Sequence, residues 1–84
     1  MQTISELGPA IAARRRALGL RQGDVARQAG IAQAVLSRFE GGKCAEFGAR
    51  KLLALLGVLG MELAFVEKLP SGLLDDFRHT RGGR

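Results

Sequence analysis

QGDVARQAGIAQAVLSRF, residues 22–39, is the stretch of the chain that decides the fold. Its first half predicts a short helix from Gln22 to Ala29, which ends at Gly30. Its second half predicts another short helix, from Ala32 or Gln33 to Glu40, which ends at the pair Gly41-Gly42. Two helices of about eight residues joined by a short turn that contains glycine are typical of a helix-turn-helix.

Small and apolar residues fall where this motif requires them. Ala26 lies where the two helices approach closely, so that a larger side chain would clash. Gly30 lies in the turn, where the backbone must accept a positive φ. Helices this short are unstable alone in water, so flanking helices must pack against them. The positions that face the shared core are all apolar: Val25, Ala29, Ile31, Leu36 and Phe39.

The first flanking helix is predicted from Ile4 to Leu18, with a stop at Gly19. Its start is open between two alternatives. Either Ser5 is the N-cap and Pro9 lies near the end of the first turn, or Gly8 is the N-cap and Pro9 is the first helical residue. The apolar face of this helix comprises Leu7, Ile11 and Leu18.

The second flanking helix is predicted from about Phe47 to Leu59, with an apolar stripe made by Leu52, Leu55, Leu56 and Leu59. Beyond Gly60 the pattern alternates, since Met61, Leu63 and Phe65 are separated by Glu62 and Ala64. This alternation favours a strand over 61–67. The same residues also fit a continued helix, against which Gly57 and Gly60 argue. The chain then breaks at Pro70-Ser71-Gly72, before a tail that contains Leu73, Leu74 and Phe77.

The composition is that of one small folded domain. The chain has 84 residues, of which 46% are hydrophobic and 25% are charged, so there is no room for a second core. One cysteine, Cys44, and one histidine, His79, supply neither a disulfide nor a zinc site. No apolar run is long enough to span a membrane, and the start of the chain does not resemble a signal peptide. We therefore expect a cytoplasmic protein with no membrane partner.

Positive charge is concentrated in the N-terminal part of the chain. Residues 1–51 hold nine Lys/Arg and four Asp/Glu, whereas residues 52–84 hold four of each, so the net charge of +5 belongs to the part with the helix-turn-helix. This surplus indicates a polyanionic partner. No group of side chains is suited to catalysis, so we expect neither an enzyme nor a cofactor. Cys44 is interpreted as an ordinary loop thiol and not as a redox switch.

The sequence resembles the lambda-repressor-like DNA-binding domain, also called the XRE or Cro/C1-type family. The resemblance implies a mainly α fold of four to five helices, in which the second motif helix enters the major groove of DNA. The alternative is a helical bundle that uses the same residues only as a core. The resemblance covers roughly Leu7 to Leu59 and rests on Leu18-Gly19-Leu20-Arg21-Gln22, Val25-Ala26, Ala29-Gly30-Ile31 and Leu36-Ser37-Arg38-Phe39-Glu40.

The resemblance also implies which residues contact DNA. At the second motif helix, Gln33 can bridge N6 and N7 of adenine, and Ala34 can contact a thymine methyl group. Ser37 is a further base contact, and Arg38 can bind guanine or a phosphate. Gln22 resembles the family's glutamine that binds a phosphate at a helix N-terminus. Further phosphate contacts are expected from Arg14, Arg16, Arg21 and Lys43.

Two features of the family pattern concern stability. The family pairs an arginine four residues before Gly19 with a glutamate at the end of the second motif helix, which implies a structural ion pair between Arg15 and Glu40. The sequence departs from the family at Arg21 and Ala32, where residues that cap a helix are usual. A missing cap costs about 1 kcal/mol, so both motif helices are expected to start less firmly.

The predicted strand indicates a homodimer. A single strand would leave N–H and C=O groups unpaired beside apolar side chains, so we expect it to pair with the same strand of a second copy through Met61, Leu63 and Phe65. Such a dimer presents two recognition helices about 34 Å apart, which is one turn of DNA. The expected organisation is a DNA-binding domain over 1–60, a dimerisation strand over 61–67 and a C-terminal tail over 68–84.

Two passages are similar to HipB-type antitoxins: Gly30-Ile31-Ala32-Gln33-Ala34 and Leu59-Gly60-Met61-Glu62-Leu63. This resemblance implies a repressor that binds double-stranded operator DNA in its own operon and restrains a HipA-like kinase toxin. The tail is expected either to dock on such a partner or to be a solvated end. The alternatives are a stand-alone XRE-family or phage-type regulator, and a protein-interaction module that keeps the helix-turn-helix as a scaffold.

Overall fold

The computed structural model describes residues 3–67, in which four helices and no strand are formed. The helices are α1 (Ile4–Ala17), α2 (Gln22–Ala29), α3 (Gln33–Glu40) and α4 (Ala49–Val58). The mainly helical fold with a helix-turn-helix, formed by α2 and α3, is thereby confirmed. The predicted tail over 68–84 lies outside the described residues. Within residues 3–67, every helix is too short or too polar to cross a lipid bilayer.

One apolar core joins the four helices. Phe39, at the end of α3, is fully buried, and its ring stacks on that of Phe47 with 3.9 Å between centroids and 8° between planes. Leu18, which we predicted on the apolar face of the first helix, is the C-cap of α1 and is exposed instead. The buried members of the core are Ile11, Val25, Ala26, Leu36, Phe39, Leu55, Leu56 and Leu59.

Helix α1 begins at Ile4, where the helical segment was predicted to start, but its N-cap is neither Ser5 nor Gly8. Its N-cap is Thr3, whose hydroxyl accepts a hydrogen bond from the backbone N–H of Glu6 and donates one to the Glu6 carboxylate at 2.9 Å. Threonine followed three residues later by glutamate is a capping box, and this local pattern outweighs the alternatives at Ser5 and Gly8. Pro9 therefore lies inside α1, where it has no N–H to donate to the preceding turn.

Gly8 allows α1 to contact the backbone of α3. A Cβ atom placed on Gly8 would lie 1.6 Å from the carbonyl oxygen of Phe39 and 2.6 Å from its carbonyl carbon. These distances are far below van der Waals contact, so no other residue fits here without a shift of backbone. The end of α3 is thus fixed against α1 by a direct approach of two main chains.

The turn of the motif is built as predicted, and both motif helices lack a side-chain cap. Gly30 has φ of 74° and is followed by a hydrogen bond from the N–H of Ile31 to the carbonyl of Ala26 at 2.9 Å. Arg21 and Ala32 occupy the N-cap positions of α2 and α3, and neither side chain makes a capping hydrogen bond. The first N–H groups of both helices therefore find no hydrogen-bond acceptor in these side chains.

The end of the described chain differs from the prediction in two respects. Helix α4 begins at Ala49 after the N-cap Gly48, so Phe47 precedes the helix and packs from the loop. Gly60, at φ of 70°, ends the helical region, so the alternative of a helix continued through Val66 is wrong. Residues 61–67 form neither helix nor strand in the single chain. A strand that pairs only between two copies has no ladder in one copy, so this pairing stays a prediction.

Candidate nucleic-acid interface

One side of α3 faces solvent with polar and small residues. Gln33, Ala34, Ser37 and Arg38 are all exposed, whereas Leu36 and Phe39 on the opposite side are buried. Positions that are one, four and five residues apart lie on one side of an α-helix. The four predicted base contacts therefore form a continuous exposed surface, which we call the α3 face.

Gln33, at the start of α3, makes a long hydrogen bond to Gln22 of α2. The Nε2 group of Gln33 donates to Oε1 of Gln22 at 3.4 Å, and Nε2 of Gln22 donates in turn to Oε1 of Glu40 at 3.1 Å. A glutamine amide has two N–H donors and an acceptor oxygen. Gln33 therefore keeps one N–H and its oxygen for a base, which is the pair of groups that adenine N7 and N6 require.

Gly23 makes room for this arrangement. A Cβ atom at Gly23 would lie 3.2 Å from Oε1 of Gln33, which is tighter than normal contact. Because Gly23 lies in the first turn of α2, directly after Gln22, a side chain there would require the end of the Gln33 side chain to shift by a few tenths of an ångström. Gly23 was not among the predicted site residues. The only available signal was a glycine inside a predicted helix, which is unfavourable for helix formation and so suggests a packing reason.

Arg15 and Glu40 form a bidentate ion pair beneath the interface. Nε of Arg15 donates to Oε2 of Glu40 at 2.7 Å, and Nη2 donates to Oε1 at 2.8 Å. The third arm of the guanidinium, Nη1, donates to the carbonyl of Leu20 at 2.9 Å. The exposed fractions of the two side chains are 11% and 4%. Arg15 thus connects α1 to the end of α3 and to the loop before α2, and its charge is neutralised inside the domain.

The pKa of Glu40 shows that this pairing compensates for its burial. Burial alone would raise the pKa of the carboxyl group, but hydrogen bonds from Arg15 and Gln22 and the nearby charges of Arg15 and Arg16 lower it below its usual value. The pKa of Arg15 is raised, chiefly by its hydrogen bond to Glu40. Both groups are therefore charged over the physiological pH range.

The predicted phosphate contacts fall into two sets. Arg16, Arg21 and Lys43 have exposed side chains, as has Arg38 on the α3 face. Arg14 is half-buried, and its Nε donates to the carbonyl of Leu59 at 3.1 Å. Its guanidinium therefore satisfies a carbonyl at the C-terminus of α4, whereas the sequence predicted only a phosphate contact for this residue. A phosphate contact by Arg14 stays a prediction.

A cleft of about 560 Å³ lies beside the α3 face. One wall is formed by Ala34, Val35 and Arg38 of α3, and the other by the loop residues 43–46. Cys44 is half-buried in this loop. The cleft brings Arg38 and Lys43, two of the predicted DNA contacts, to one depression in the surface.

Two exposed basic residues of α4 were not among the predicted DNA contacts. Arg50 and Lys51 occupy the first turn of this helix, which contains no acidic residue, and both are exposed. Nζ of Lys51 lies 6.0 Å from the centroid of the Phe47 ring, at the outer limit of a cation–π contact. Their signal in the sequence was the adjacent pair of basic residues after Gly48.

The comparison with known families agrees with this geometry. A family model described as a helix-turn-helix domain matches residues 1–66, which is more than three quarters of the chain. No curated protein and no solved structure matches the chain.

Proposed function

Because this chain belongs to the helix-turn-helix domain family, we propose that it is a sequence-specific DNA-binding protein that represses transcription. The observation that carries the proposal is the α3 face, an exposed surface at whose start Gln33 is hydrogen-bonded to Gln22 with one donor and one acceptor left for a base. A helix used only as a scaffold would not need a solvent-exposed side chain oriented in this way.

Base recognition is proposed for four residues of the α3 face. Gln33 would bind adenine through N6 and N7, and Ala34 would contact a thymine methyl group nearby. Ser37 lies one turn further along the helix and can accept or donate a single hydrogen bond. Arg38 is at the edge of the face, where its fork suits either guanine or a phosphate.

The start of α2 is proposed to hold the DNA backbone. Its N-cap Arg21 leaves the first N–H groups of the helix without a capping side chain, and a phosphate accepts hydrogen bonds from such groups. Gln22 lies beside them, with its amide anchored to the buried Glu40. Arg16 and Lys43 are proposed to add further phosphate contacts, which fix the register of α3 without reading sequence.

The repressor is proposed to act as a homodimer. The segment after α4 exposes apolar side chains that no helix of the described chain covers, above all Phe65 and Val66, which are 96% and 84% exposed. Pairing of the segment 61–67 with its copy would satisfy its backbone groups and cover these side chains. The dimer would place two α3 helices on successive major grooves of a palindromic operator.

Within this class we propose an antitoxin that represses its own operon and binds a HipA-like kinase toxin. Support comes from the similarity of the passages 30–34 and 59–63 to HipB-type antitoxins, described above. The alternatives within the class are a stand-alone XRE-family regulator and a phage-type repressor. Co-purification of the protein from its native operon distinguishes them, since an antitoxin should retain a kinase encoded by the adjacent gene and the other two should not.

The DNA-binding proposal is tested by fluorescence anisotropy with a random duplex and with an operator selected from a random library. Binding to the random duplex should weaken steeply with salt, with a slope of about −7 in log K against log salt if a dimer makes about eight phosphate contacts. No binding at low salt would instead favour a protein-interaction module and contradict the proposal.

A matched pair of variants separates base recognition from general binding. Gln33→Ala should lower operator affinity by about 10- to 100-fold per half-site, because it removes a bidentate base contact, and should leave random-duplex binding nearly unchanged. Gln28→Ala removes the same type of side chain from an exposed position of α2 outside the α3 face and should change neither.

A further inference from the structure

We propose that an apolar groove between α1 and α4 receives the Phe65 side chain of a second copy of this chain. This inference rests on the homodimer of the proposed function and adds where the exposed ring of each copy binds. The groove has a volume of about 360 Å³. Its lining includes Leu7 and Ala10 of α1, Leu52 and Leu56 of α4, and Met61 and Leu63 of the following segment.

The groove and Phe65 are matched in chemistry. Apart from Glu62, which is exposed to solvent, the lining side chains are aliphatic or methionine, so an aromatic ring in the groove would contact mainly apolar surface. Phe65 is 96% exposed, and it is the most exposed large apolar side chain in residues 3–67. Burial of this exposed phenyl ring would therefore give the largest gain in free energy of any single side chain in this segment.

The position of the groove next to the segment 61–67 is what selects a second copy. In an antiparallel pair related by a two-fold axis perpendicular to the sheet, odd-numbered residues of both copies lie on one side. A pair centred on Ala64 sets Phe65 opposite Leu63 of the second copy, and a pair centred on Leu63 sets it opposite Met61. Both of these residues line the groove, so either register brings the ring of one copy to the groove of the other.

A register between these two is disfavoured by chemistry and by symmetry. It would set Phe65 opposite Glu62 of the second copy, so that a carboxylate would lie beside the ring. It would further place odd-numbered residues of one copy beside even-numbered residues of the other, which a perpendicular two-fold axis does not allow. A pair centred on Phe65 would set the two rings opposite each other, so the proposed contact requires a centre at Leu63 or Ala64.

The area involved is close to that of a small specific dimer interface. Each Phe65 buries about 150–250 Å² of its own surface and a similar area of groove, and a two-fold interface counts both contributions twice. Val66, Met61 and the paired backbone add to this. The total approaches the lower limit of about 1,200 Å² for specific interfaces. The interface is self-complementary, since each copy supplies one ring and one groove.

Disulfide trapping between two different variants tests the contact directly. Ala10→Cys and Phe65→Cys are made separately in full-length chains that also carry Cys44→Ser, and equal amounts are mixed and mildly oxidised. We expect a covalent mixed dimer, because Ala10 lines the groove that receives Phe65 of the other copy. Absence of the mixed dimer, or an intramolecular disulfide in a chain that carries both substitutions, would overturn the proposal.

Sedimentation of full-length variants tests the energetics. Phe65→Asp removes the ring and Ala10→Phe fills the groove, and each should weaken dimerisation at least ~100-fold, since every dimer loses two buried rings. Leu53→Asp is the matched control, because Leu53 is a half-exposed apolar residue of α4 that is not part of the groove, and it should remain dimeric. Thermal unfolding of each variant verifies that the helical domain is folded.

The outcomes separate this proposal from the function on which it rests. If Phe65→Asp and Ala10→Phe both remain dimeric, or if the unmodified chain is a monomer, the groove has another occupant, such as the tail over 68–84 or a partner protein, and the proposal is overturned. Random-duplex binding at low salt by the monomeric variants keeps the DNA-binding function intact. A dimer that crosslinks as expected but binds no DNA would instead remove the proposed function and leave the groove contact standing.

Discussion

Removal of Arg15 should destabilise the domain long before it alters which DNA sequence is bound. In Arg15→Ala, the Glu40 carboxylate keeps only the hydrogen bond from Gln22, in a position where the glutamate side chain is 4% exposed. Loss of one partner from a buried ion pair costs roughly 3–5 kcal/mol. Because the pair lies in a small domain and Arg15 retains some solvent contact, we expect the free energy of unfolding to fall by about 3 kcal/mol, the lower end of this range.

This loss is large compared with the stability of the whole domain. A chain of this size has an unfolding free energy of about 4–13 kcal/mol. Each kcal/mol corresponds to about 4–8 °C in Tm for a domain of this size, so Arg15→Ala should lower Tm by about 12–24 °C. Arg15→Lys should fall between this variant and the unmodified protein, because lysine keeps the charge but lacks the fork that contacts both carboxylate oxygens.

The assay combines thermal unfolding by circular dichroism with operator binding at a temperature where every variant is folded. The matched control is Arg27→Ala, which breaks an ion pair with Asp24 whose side chains are 73% and 46% exposed. Such exposed pairs contribute about 0–1 kcal/mol, so Tm should change by only a few degrees. An unchanged Tm in Arg15→Ala together with lost operator binding would refute the reasoning and make Arg15 a DNA contact.

Three further predictions concern other contacts. Gly8→Ala should prevent normal folding or lower the unfolding free energy by at least ~3 kcal/mol, since its methyl group would overlap the Phe39 carbonyl; denaturant unfolding measures this, and a native-like midpoint would contradict the close approach. Gly23→Ala should raise the free energy of unfolding by about 0.5–1 kcal/mol, because alanine favours the helix more than glycine does. It should also reduce the discrimination between operator and random DNA, because its methyl group displaces Gln33. Greater stability with unchanged specificity would show that Gln33 adapts freely. The pKa of Glu40 is lowered in the folded state, so its contribution to stability is complete above the ordinary value of 4.5 and is lost as the pH falls through the lower folded-state value. Between pH 6 and pH 3, the Tm of the unmodified protein should therefore fall more steeply than that of Glu40→Gln. Parallel curves for the two proteins would contradict the pKa shift.

The helix-turn-helix was predictable because its constraints are local. Gly30 indicates a turn residue with a positive φ, and Ala26 indicates a close approach of the two helices. Both features can be read from the motif itself, without knowledge of the rest of the chain. The missing side-chain caps at Arg21 and Ala32 were predictable for the same reason, since a capping bond depends on the side chain at one position. The N-cap of α1 differs from both predicted caps because Thr3 and Glu6 form a local capping pair.

Contacts between residues far apart in the sequence could not be predicted in this way. Nothing near Gly8 in the sequence indicates that its missing side chain accommodates the carbonyl of Phe39, because that contact depends on how α1 crosses α3. The bond from Arg14 to Leu59 spans 45 positions and joins the ends of two helices whose relative placement follows from the packed core. A family pattern pairs Arg15 with Glu40, but it does not assign the third arm of that guanidinium to Leu20.

The hydrogen bond from Gln33 to Gln22 limits how the base preference of this domain can be re-engineered. A replacement at position 33 must still present a donor to Oε1 of Gln22, so that arginine or lysine can be accommodated there more readily than glutamate. The carboxylate of a glutamate would face that oxygen, and Gln22 is itself anchored to Glu40. New specificities for this scaffold should therefore be sought by varying positions 22 and 33 together, with Gly23 kept, in a library of paired substitutions.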